Sequence, residues 1–176
     1  MKKQLIIIFI SVFINNTLYA ENSAFVDLNI GYTKEDIQIY RLGYIKGFKN
    51  DIKSYDNGTL TGYYEASLNY WYNGDKNLHN SIYAIALSPV FIYLFNNKLK
   101  SYNPYVEAGI GATLLSETRI KNKNMSSCFQ FEDRIGLGLK SDTHTIYFRF
   151  MHYSNGGLKE PNPGINILSL GVIVYF

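Results

Sequence analysis

The segment that decides the fold is LTGYYEASLNYWY, residues 60–72. Its even-numbered positions are apolar or aromatic, apart from one glycine, whereas its odd-numbered positions include Glu65 and other polar residues. Side chains two residues apart lie on the same face of a β-strand. The segment therefore predicts a strand with a polar face that bears Glu65 and an apolar face that bears Tyr64, Leu68 and Tyr70.

The same alternation recurs along the chain and predicts eight strands. They lie at 26–32, 40–44, 60–72, 82–94, 102–115, 127–140, 143–154 and 165–176. The segment at 82–94 departs from the pattern, because it is apolar on both faces and contains Pro89, which has no backbone N–H. Segments of about ten residues can cross a bilayer as tilted strands, and bacterial barrels have even strand numbers. The predicted fold is all-β, a single eight-stranded antiparallel transmembrane β-barrel.

The polar faces of these strands carry several charged residues: Glu65, Glu107, Glu132 and Arg134. The interior of an eight-stranded barrel is filled by side chains, and charges buried there have to be paired. We therefore expect an interior network of ion pairs. A proton or ion path is disfavoured, because a barrel this narrow leaves no room for one.

The first 20 residues have the features of a secretory signal peptide. Lys2 and Lys3 precede a short apolar run, and Ala20 offers a small residue at the cleavage site. The apolar run is too short to span a bilayer as a helix. The sequence thus predicts an exported protein with a signal peptide at 1–20 and a mature barrel at 21–176.

Composition supports a membrane barrel and argues against other classes. The chain has 16 Tyr and 11 Phe, as expected for the aromatic girdles of an outer-membrane barrel. Its formal charge is +3, and two of these charges belong to Lys2 and Lys3, so no basic field remains for nucleic acid. Cys128 is the single cysteine, which excludes an internal disulfide, and no Cys/His spacing typical of zinc occurs. We expect no cofactor, no metal and no nucleic-acid partner.

The C-terminal segment SLGVIVYF, residues 169–176, adds an independent signal. It has apolar residues at alternate positions and ends on Phe176, and in this it resembles the terminal strand by which outer-membrane proteins are recognised for assembly. A soluble sandwich would need a second sheet to cover this apolar face. Together with the export signal, the segment favours the cell outer membrane.

A histidine and a serine end one row of otherwise aromatic residues. Phe148, Phe150, His152 and Ser154 alternate along one predicted strand and share its lipid-facing side. A neutral imidazole within reach of a serine hydroxyl can accept its proton during attack on an ester. The spacing alone also fits a polar pair at the membrane interface, so it does not decide between a catalytic and a structural role.

A longer motif favours the catalytic role over the structural one. HYSNGGLKEPNPGIN, residues 152–166, closely resembles the H-x-S-N-x-G-x-x-x-P-N-x-G signature of the PagL-type lipid A 3-O-deacylases. PYVEAGIG at 104–111 and FQFEDRIGLG at 129–138 also resemble that family, and the likeness is looser elsewhere. The resemblance implies an eight-stranded outer-membrane barrel whose serine hydrolase site, on the outer wall, removes the 3-linked acyl chain of lipid A.

The resemblance also implies roles for individual residues. Ser154 matches the nucleophile and His152 the general base, while Asn155 and Gly157 match the positions that stabilise the oxyanion. The family's third catalytic member is a glutamate, and here that position is Asn166.

Asn166 is the main departure from the family pattern. An amide oxygen can accept a hydrogen bond from imidazole, as in Cys-His-Asn sites, but it brings no charge to stabilise the imidazolium. Glu160 could supply that charge only if its loop folds back onto His152.

Lipid A or lipopolysaccharide is the implied substrate, and a homodimer is left open. Two other functions remain as alternatives. A non-catalytic barrel, such as an adhesin or structural protein, has no need of His152 and Ser154 on a lipid-facing wall. A lipid A acyl transferase would use a site inside the barrel.

Overall fold

A computed structural model describes residues 24–74 and 79–176. The signal peptide predicted at 1–20 lies outside these residues. Within them, eight long strands form the barrel: β1 (Ala24–Thr33), β2 (Gln38–Gly47), β4 (Gly58–Tyr72), β5 (Ser81–Phe95), β6 (Asn103–Leu115), β9 (Phe129–Lys140), β10 (His144–Ser154) and β11 (Ile165–Tyr175). Three short strands accompany them: β3 (Lys53–Tyr55), β7 (Arg119–Ile120) and β8 (Lys123–Asn124). No helix in the described part of the chain is long and apolar enough to cross a membrane.

The eight long strands close into a ring. Each pairs antiparallel with its neighbour in the chain, and β1 also pairs with β11, where Ile30 lies opposite Leu170. Every long strand therefore has two partners and no edge is left open. The predicted eight-stranded antiparallel barrel is confirmed. Its second strand is longer than the predicted 40–44, because its pairing with β1 and β4 carries it through residues whose apolar alternation is weak.

Alternation along the strands separates the outer wall from the interior, as predicted. In β4, Tyr64 and Leu68 are 59% and 57% exposed, whereas Glu65 is fully buried. Tyr70 lies on the outer wall between the exposed rings of Tyr40 and Tyr83. A continuous apolar exterior of this kind is what a bilayer requires of a barrel.

Pro89 interrupts the ladder between β5 and β6. Backbone pairing stops after Leu87 and resumes at Val90, because proline has no N–H to donate. At the break, Ser88 turns inward and donates to a carboxylate oxygen of Glu132 at 2.8 Å. The strand predicted at 82–94 is therefore present, and at its break Ser88 contributes a hydrogen bond to the interior.

The middle of the interior is a network of buried ions. Glu65 accepts hydrogen bonds from Arg41 and Arg134, and Glu132 from the same two arginines. Arg149 joins the network through its salt bridges to Asp27 and Glu107. The interior positions predicted for Glu65, Glu107, Glu132 and Arg134 are confirmed. Asp27, Arg41 and Arg149 complete the set, and each lies on the polar side of the alternation.

Apolar clusters close the interior above and below these ions. One cluster lies beneath the loops that join β1 to β2 and β10 to β11; it includes Ile37, Trp71, Ile120, Met125 and Ile165. The other lies towards the opposite end and is rich in tyrosine, with Tyr63, Tyr105 and Tyr147 among its members. The middle of the interior is thus filled, while a cavity of about 270 Å³ remains at the tyrosine-rich end, beside Tyr63 and Tyr105. The candidate site residues His152, Ser154 and Asn166 lie outside the interior.

Candidate active site

The candidate site lies on the outer wall where β10 ends and β11 begins. Phe148 and Phe150 are 43% and 38% exposed, and they are followed on the same face by the half-buried side chains of His152 and Ser154. The intervening residues Tyr147, Arg149, Met151 and Tyr153 are buried inside. Strand alternation alone therefore carries the histidine and serine to the lipid-facing surface, at the end of an aromatic row.

Asn166 binds the histidine from the neighbouring strand. His152 and Asn166 are direct partners in the antiparallel register of β10 and β11, and directly opposed side chains in such a pair lie about 5 Å apart. His152 Nδ1 and Asn166 Oδ1 are 2.6 Å apart. Since a carbonyl oxygen can only accept, Nδ1 carries the proton, and the lone pair of the neutral ring lies at Nε2.

Ser154 shares the wall with His152 but is not bonded to it. Within the described residues, no hydrogen bond joins the Ser154 hydroxyl to the imidazole. Catalytic hydrogen bonds are often long in the absence of substrate and tighten in the reacting complex. The serine hydroxyl and Nε2 are therefore both left available on one surface.

Gly164 packs against the other edge of the imidazole. A Cβ at this position would lie 2.7 Å from His152 Cε1 and 3.2 Å from Nε2, and the residue has a φ of +59°. Both features require glycine here. The ring is thus held by Asn166 at Nδ1 and by the backbone of Gly164 along its Cε1 edge.

Asn155 organises the turn that follows the serine. The side chain is fully buried, and its Nδ2 donates to the carbonyl oxygens of Lys159 (2.7 Å) and Met125 (3.3 Å). Its Oδ1 accepts from the N–H of Gly157 at 3.0 Å. Its own N–H donates to Asn162 Oδ1 at 3.1 Å. The two residues matched to the oxyanion positions thus lie together beside Ser154, with their backbone donors engaged within the loop.

Glu160 lies elsewhere in the loop. Its carboxylate accepts from the N–H of Asn162 at 3.0 Å, which caps the local turn. His152 Nδ1 is occupied by Asn166, so the loop carboxylate does not take the place of the family's glutamate in this structure.

The loop between β6 and β9 binds the loop between β10 and β11 through contacts that were not predicted from the sequence. Together with the salt bridge to Glu35, we call these contacts the loop clasp. Ser126 Oγ donates to the carbonyl of Pro161 at 2.5 Å, and Lys123 Nζ donates to the carbonyl of Gly164 at 2.8 Å. Lys123 also forms a 3.0 Å salt bridge with Glu35 in the β1–β2 turn. These contacts join residues about 35 to 90 positions apart, and no periodic pattern encodes them.

The charges around the clasp are balanced. Partial burial raises the pKa of the Glu35 carboxyl, but the hydrogen bond and charge of Lys123 outweigh burial, so that the pKa lies below its ordinary value of 4.5. Asp36 is exposed, and its hydrogen bonds with Tyr32 and Lys121 lower its pKa. Both carboxyls are therefore ionised at neutral pH. Within the described residues, no cluster of histidine, cysteine or acidic side chains could hold a metal ion.

Asp133 is an acidic residue on the outer face of β9. It lies opposite His152 in the β9–β10 register, as Asn166 does on the other side. Its neighbour Glu132 points inward to the ion network. The alternation in FQFEDRIGLG already predicts this outer position for Asp133, because its neighbours Glu132 and Arg134 belong to the inward face.

Comparisons with known proteins show which family this chain resembles. The family model for lipid A 3-O-deacylase (PagL) matches residues 38–174. The lipid A deacylase PagL of Pseudomonas aeruginosa is 36% identical over 171 residues, which cover 97% of this chain and 96% of the relative. The enzyme of the same name from Bordetella bronchiseptica is 37% identical over 107 residues, covering 60% and 57% of the two chains.

Solved structures give the same result. The crystal structure of the outer membrane enzyme PagL superposes with a TM-score of 0.79 at 37% identity, covering 86% of this chain and 99% of that one. A de novo designed transmembrane β-barrel superposes with a TM-score of 0.50 at 9% identity, which is a likeness of fold alone. From its family match, its near full-length relative and its barrel, we conclude that the chain belongs to the PagL family of lipid A 3-O-deacylases.

Proposed function

We propose that this chain is a serine esterase of the outer membrane that removes the 3-O-linked acyl chain of lipid A. The observation that carries the proposal is the 2.6 Å contact between His152 and Asn166 on the lipid-facing wall, with Ser154 on the same face two residues further on. A signal peptide at 1–20, followed by a mature chain from Glu21, would deliver the protein to that membrane. A homodimer is compatible with the proposal, which does not depend on it.

Each member of the site has a distinct chemical task. Asn166 fixes the tautomer of His152 so that Nε2 is free to accept the proton of Ser154 as its oxygen attacks the ester carbonyl. The protonated imidazole then gives the proton to the departing lipid A oxygen, which leaves an acyl-enzyme. Water attacks this intermediate in the second half of the reaction, with His152 again acting as base, and the free fatty acid is released.

The turn after the serine supplies the oxyanion site in this proposal. Backbone N–H groups aimed at the developing negative charge are a common means of stabilising a tetrahedral intermediate. Gly157 would share its N–H between Asn155 Oδ1 and the oxyanion. Asn155 acts mainly through its side chain, whose contacts with Met125, Lys159 and Gly157 hold the turn in shape.

The location suits an insoluble substrate. The site is at the end of an apolar wall that acyl chains would cover, beside loops where lipid headgroups begin. An acyl transferase would need a site inside the barrel, but ion pairs fill the middle of the described interior. The interior cavity of about 270 Å³ lies at the opposite end from His152 and Ser154, and neither histidine nor serine lines it. A non-catalytic adhesin or structural barrel would leave the oriented histidine on the lipid face unexplained.

The decisive experiment is deacylation of lipid A by purified variants, followed by mass spectrometry. Ser154→Ala and His152→Ala should each abolish release of the 3-linked acyl chain, while the barrel stays folded. His144→Ala is the matched control, because His144 stands at the other end of the same strand, where it contacts Tyr102; it should retain activity. Full activity in either site variant would remove the proposed mechanism.

A further inference from the structure

Lys123 forms a junction between three loops at the candidate site. Its ammonium contacts the Glu35 carboxylate at 3.0 Å and donates to the carbonyl oxygen of Gly164 at 2.8 Å. The side chain is only 19% exposed, although a lysine at a loop surface is usually free in water. The ordering of this long side chain is an entropic cost that a solvated lysine would avoid.

The residue that Lys123 holds is the one that touches the imidazole. A side-chain carbon on Gly164 would overlap the His152 ring, so the backbone of Gly164 is itself the surface against which the Cε1 edge rests. A rotation of this peptide would move that surface. The lysine fixes the peptide by binding its carbonyl oxygen.

We propose that Lys123 is a positioning residue for His152. By anchoring the Gly164 carbonyl, it keeps the backbone against the ring, so that the hydrogen bond to Asn166 and the direction of Nε2 are maintained together. Glu35 supports this role through its 3.0 Å salt bridge with the ammonium. The inference rests on the proposed function of His152 as general base.

The positioning role differs measurably from direct binding of an anionic lipid headgroup. A residue that orients the base affects the chemical step and lowers kcat at unchanged KM. A residue that binds the headgroup in ground state and transition state alike raises KM instead. Two of the ammonium's three N–H groups already have protein acceptors, which favours the first role.

Lys121 provides a matched control. It lies in the same hairpin and also bonds to the β1–β2 turn, through the carbonyl of Glu35 at 2.8 Å and the carboxylate of Asp36 at 3.4 Å. Among the described residues, its ammonium binds Glu35 and Asp36 and not Gly164, so Lys121→Met removes a similar charge without releasing that peptide. Lys123→Arg restores a cationic donor at the anchoring position.

The first readout is steady-state kinetics of purified protein on lipid A in detergent. Lys123→Met should lower kcat about tenfold at unchanged KM, as expected for the loss of one charged hydrogen bond. Lys123→Arg should recover most of that loss, and Lys121→Met should match the parent. Gly164→Ala should lower kcat about a hundredfold by displacing the ring. A loss confined to KM, or equal losses in the two lysine variants, would overturn the proposal.

The second readout is independent of catalysis. The chain has three histidines, so NMR can resolve their Cε1–H resonances, and His152→Gln assigns the relevant one. Lys123→Met should shift or broaden the His152 signal and leave those of His79 and His144 in place. The single tryptophan, Trp71, lies in the apolar cluster beneath the loops and reports whether the variant is folded.

The two readouts separate the possible failures. An unchanged His152 resonance in folded Lys123→Met would overturn the positioning role even if lipid A deacylation by the parent is established. If instead the resonance shifts but Ser154→Ala remains fully active, the contact exists and the proposed serine mechanism has failed, which also ends any catalytic role for Lys123.

Discussion

Polar groups inside the barrel and polar groups at the candidate site on its outer wall differ in burial and in how completely they are hydrogen-bonded. Inside, each carboxylate of Glu65 and Glu132 accepts from two arginines, and these side chains are fully buried. On the wall, His152 and Ser154 are half-buried, and the ring is hydrogen-bonded through Nδ1 alone among the described residues. The charged groups of the interior are paired with one another, whereas on the wall Nε2 of His152 and the hydroxyl of Ser154 form no hydrogen bond among the described residues.

This difference separates stability from chemistry. Removing one member of a buried ion pair leaves a charge without compensation in a medium of low dielectric, which is strongly destabilising. Removing a side chain from the wall leaves no buried charge unpaired, because lipid or interfacial water takes the place of the lost atoms. Substitutions inside should therefore lower the free energy of unfolding, while substitutions at the site should lower activity and leave the fold intact.

Two adjacent residues of β9 offer the sharpest test of this contrast and the largest expected effect on stability. Glu132→Gln removes the charge that faces Arg41 and Arg134, and it should lower the free energy of unfolding by about 3–5 kcal/mol. Asp133→Asn makes the same chemical change one residue on, on the outer face, and should cost well under about 1 kcal/mol. Urea-induced unfolding in lipid vesicles measures both. Equal losses would show that the two faces are not energetically distinct.

Most of the fold could be predicted from the sequence, because side chains in barrel strands alternate between the two faces with a period of two residues. Alternation in residues 60–72 predicted which side chains face lipid and which face the ions, and the antiparallel ring follows from eight such segments. Pro89 interrupted that pattern in the sequence, and it interrupts the ladder in the structure. Local rules sufficed wherever the structure is itself periodic.

The site could be predicted only in part. Alternation placed His152 and Ser154 on one wall, and register brought Asn166 opposite the histidine. The anchoring of Gly164 by Lys123 joins residues 41 positions apart through a loop without periodicity. Asn155 was matched to an oxyanion position by resemblance, whereas its buried side chain binds the loop backbone. Such contacts depend on how the loops pack against one another, and no local sequence pattern predicts that packing.

Asn166 allows a second test of the wall, with an intermediate effect. Asn166→Leu removes the acceptor for Nδ1–H and should lower the deacylation rate about tenfold, the equivalent of one hydrogen bond. Asn166→Glu restores a charge beside the imidazolium and should raise the rate or leave it unchanged. Purified variants in detergent give both rates. If Asn166→Leu matches the parent, Asn166 does not orient His152 during turnover.

The loop clasp belongs neither to the barrel interior nor to the outer wall. It gives the smallest expected effect, a dependence of stability on pH. The Glu35 carboxyl has a pKa below its ordinary value of 4.5 because Lys123 outweighs the opposing effect of partial burial. A carboxyl with a lowered pKa in the folded state binds fewer protons than in the unfolded state, so its contribution to stability is complete above about pH 4.5 and is lost as the pH falls through the folded-state pKa. The pair is partly exposed, so the contribution should be about 0.5 kcal/mol. Thermal unfolding monitored by Trp71 fluorescence should show the parent slightly more stable than Glu35→Gln near neutral pH, with the difference vanishing in acid. A difference that persists in strong acid would mean that Glu35 stabilises the clasp by packing and not by charge.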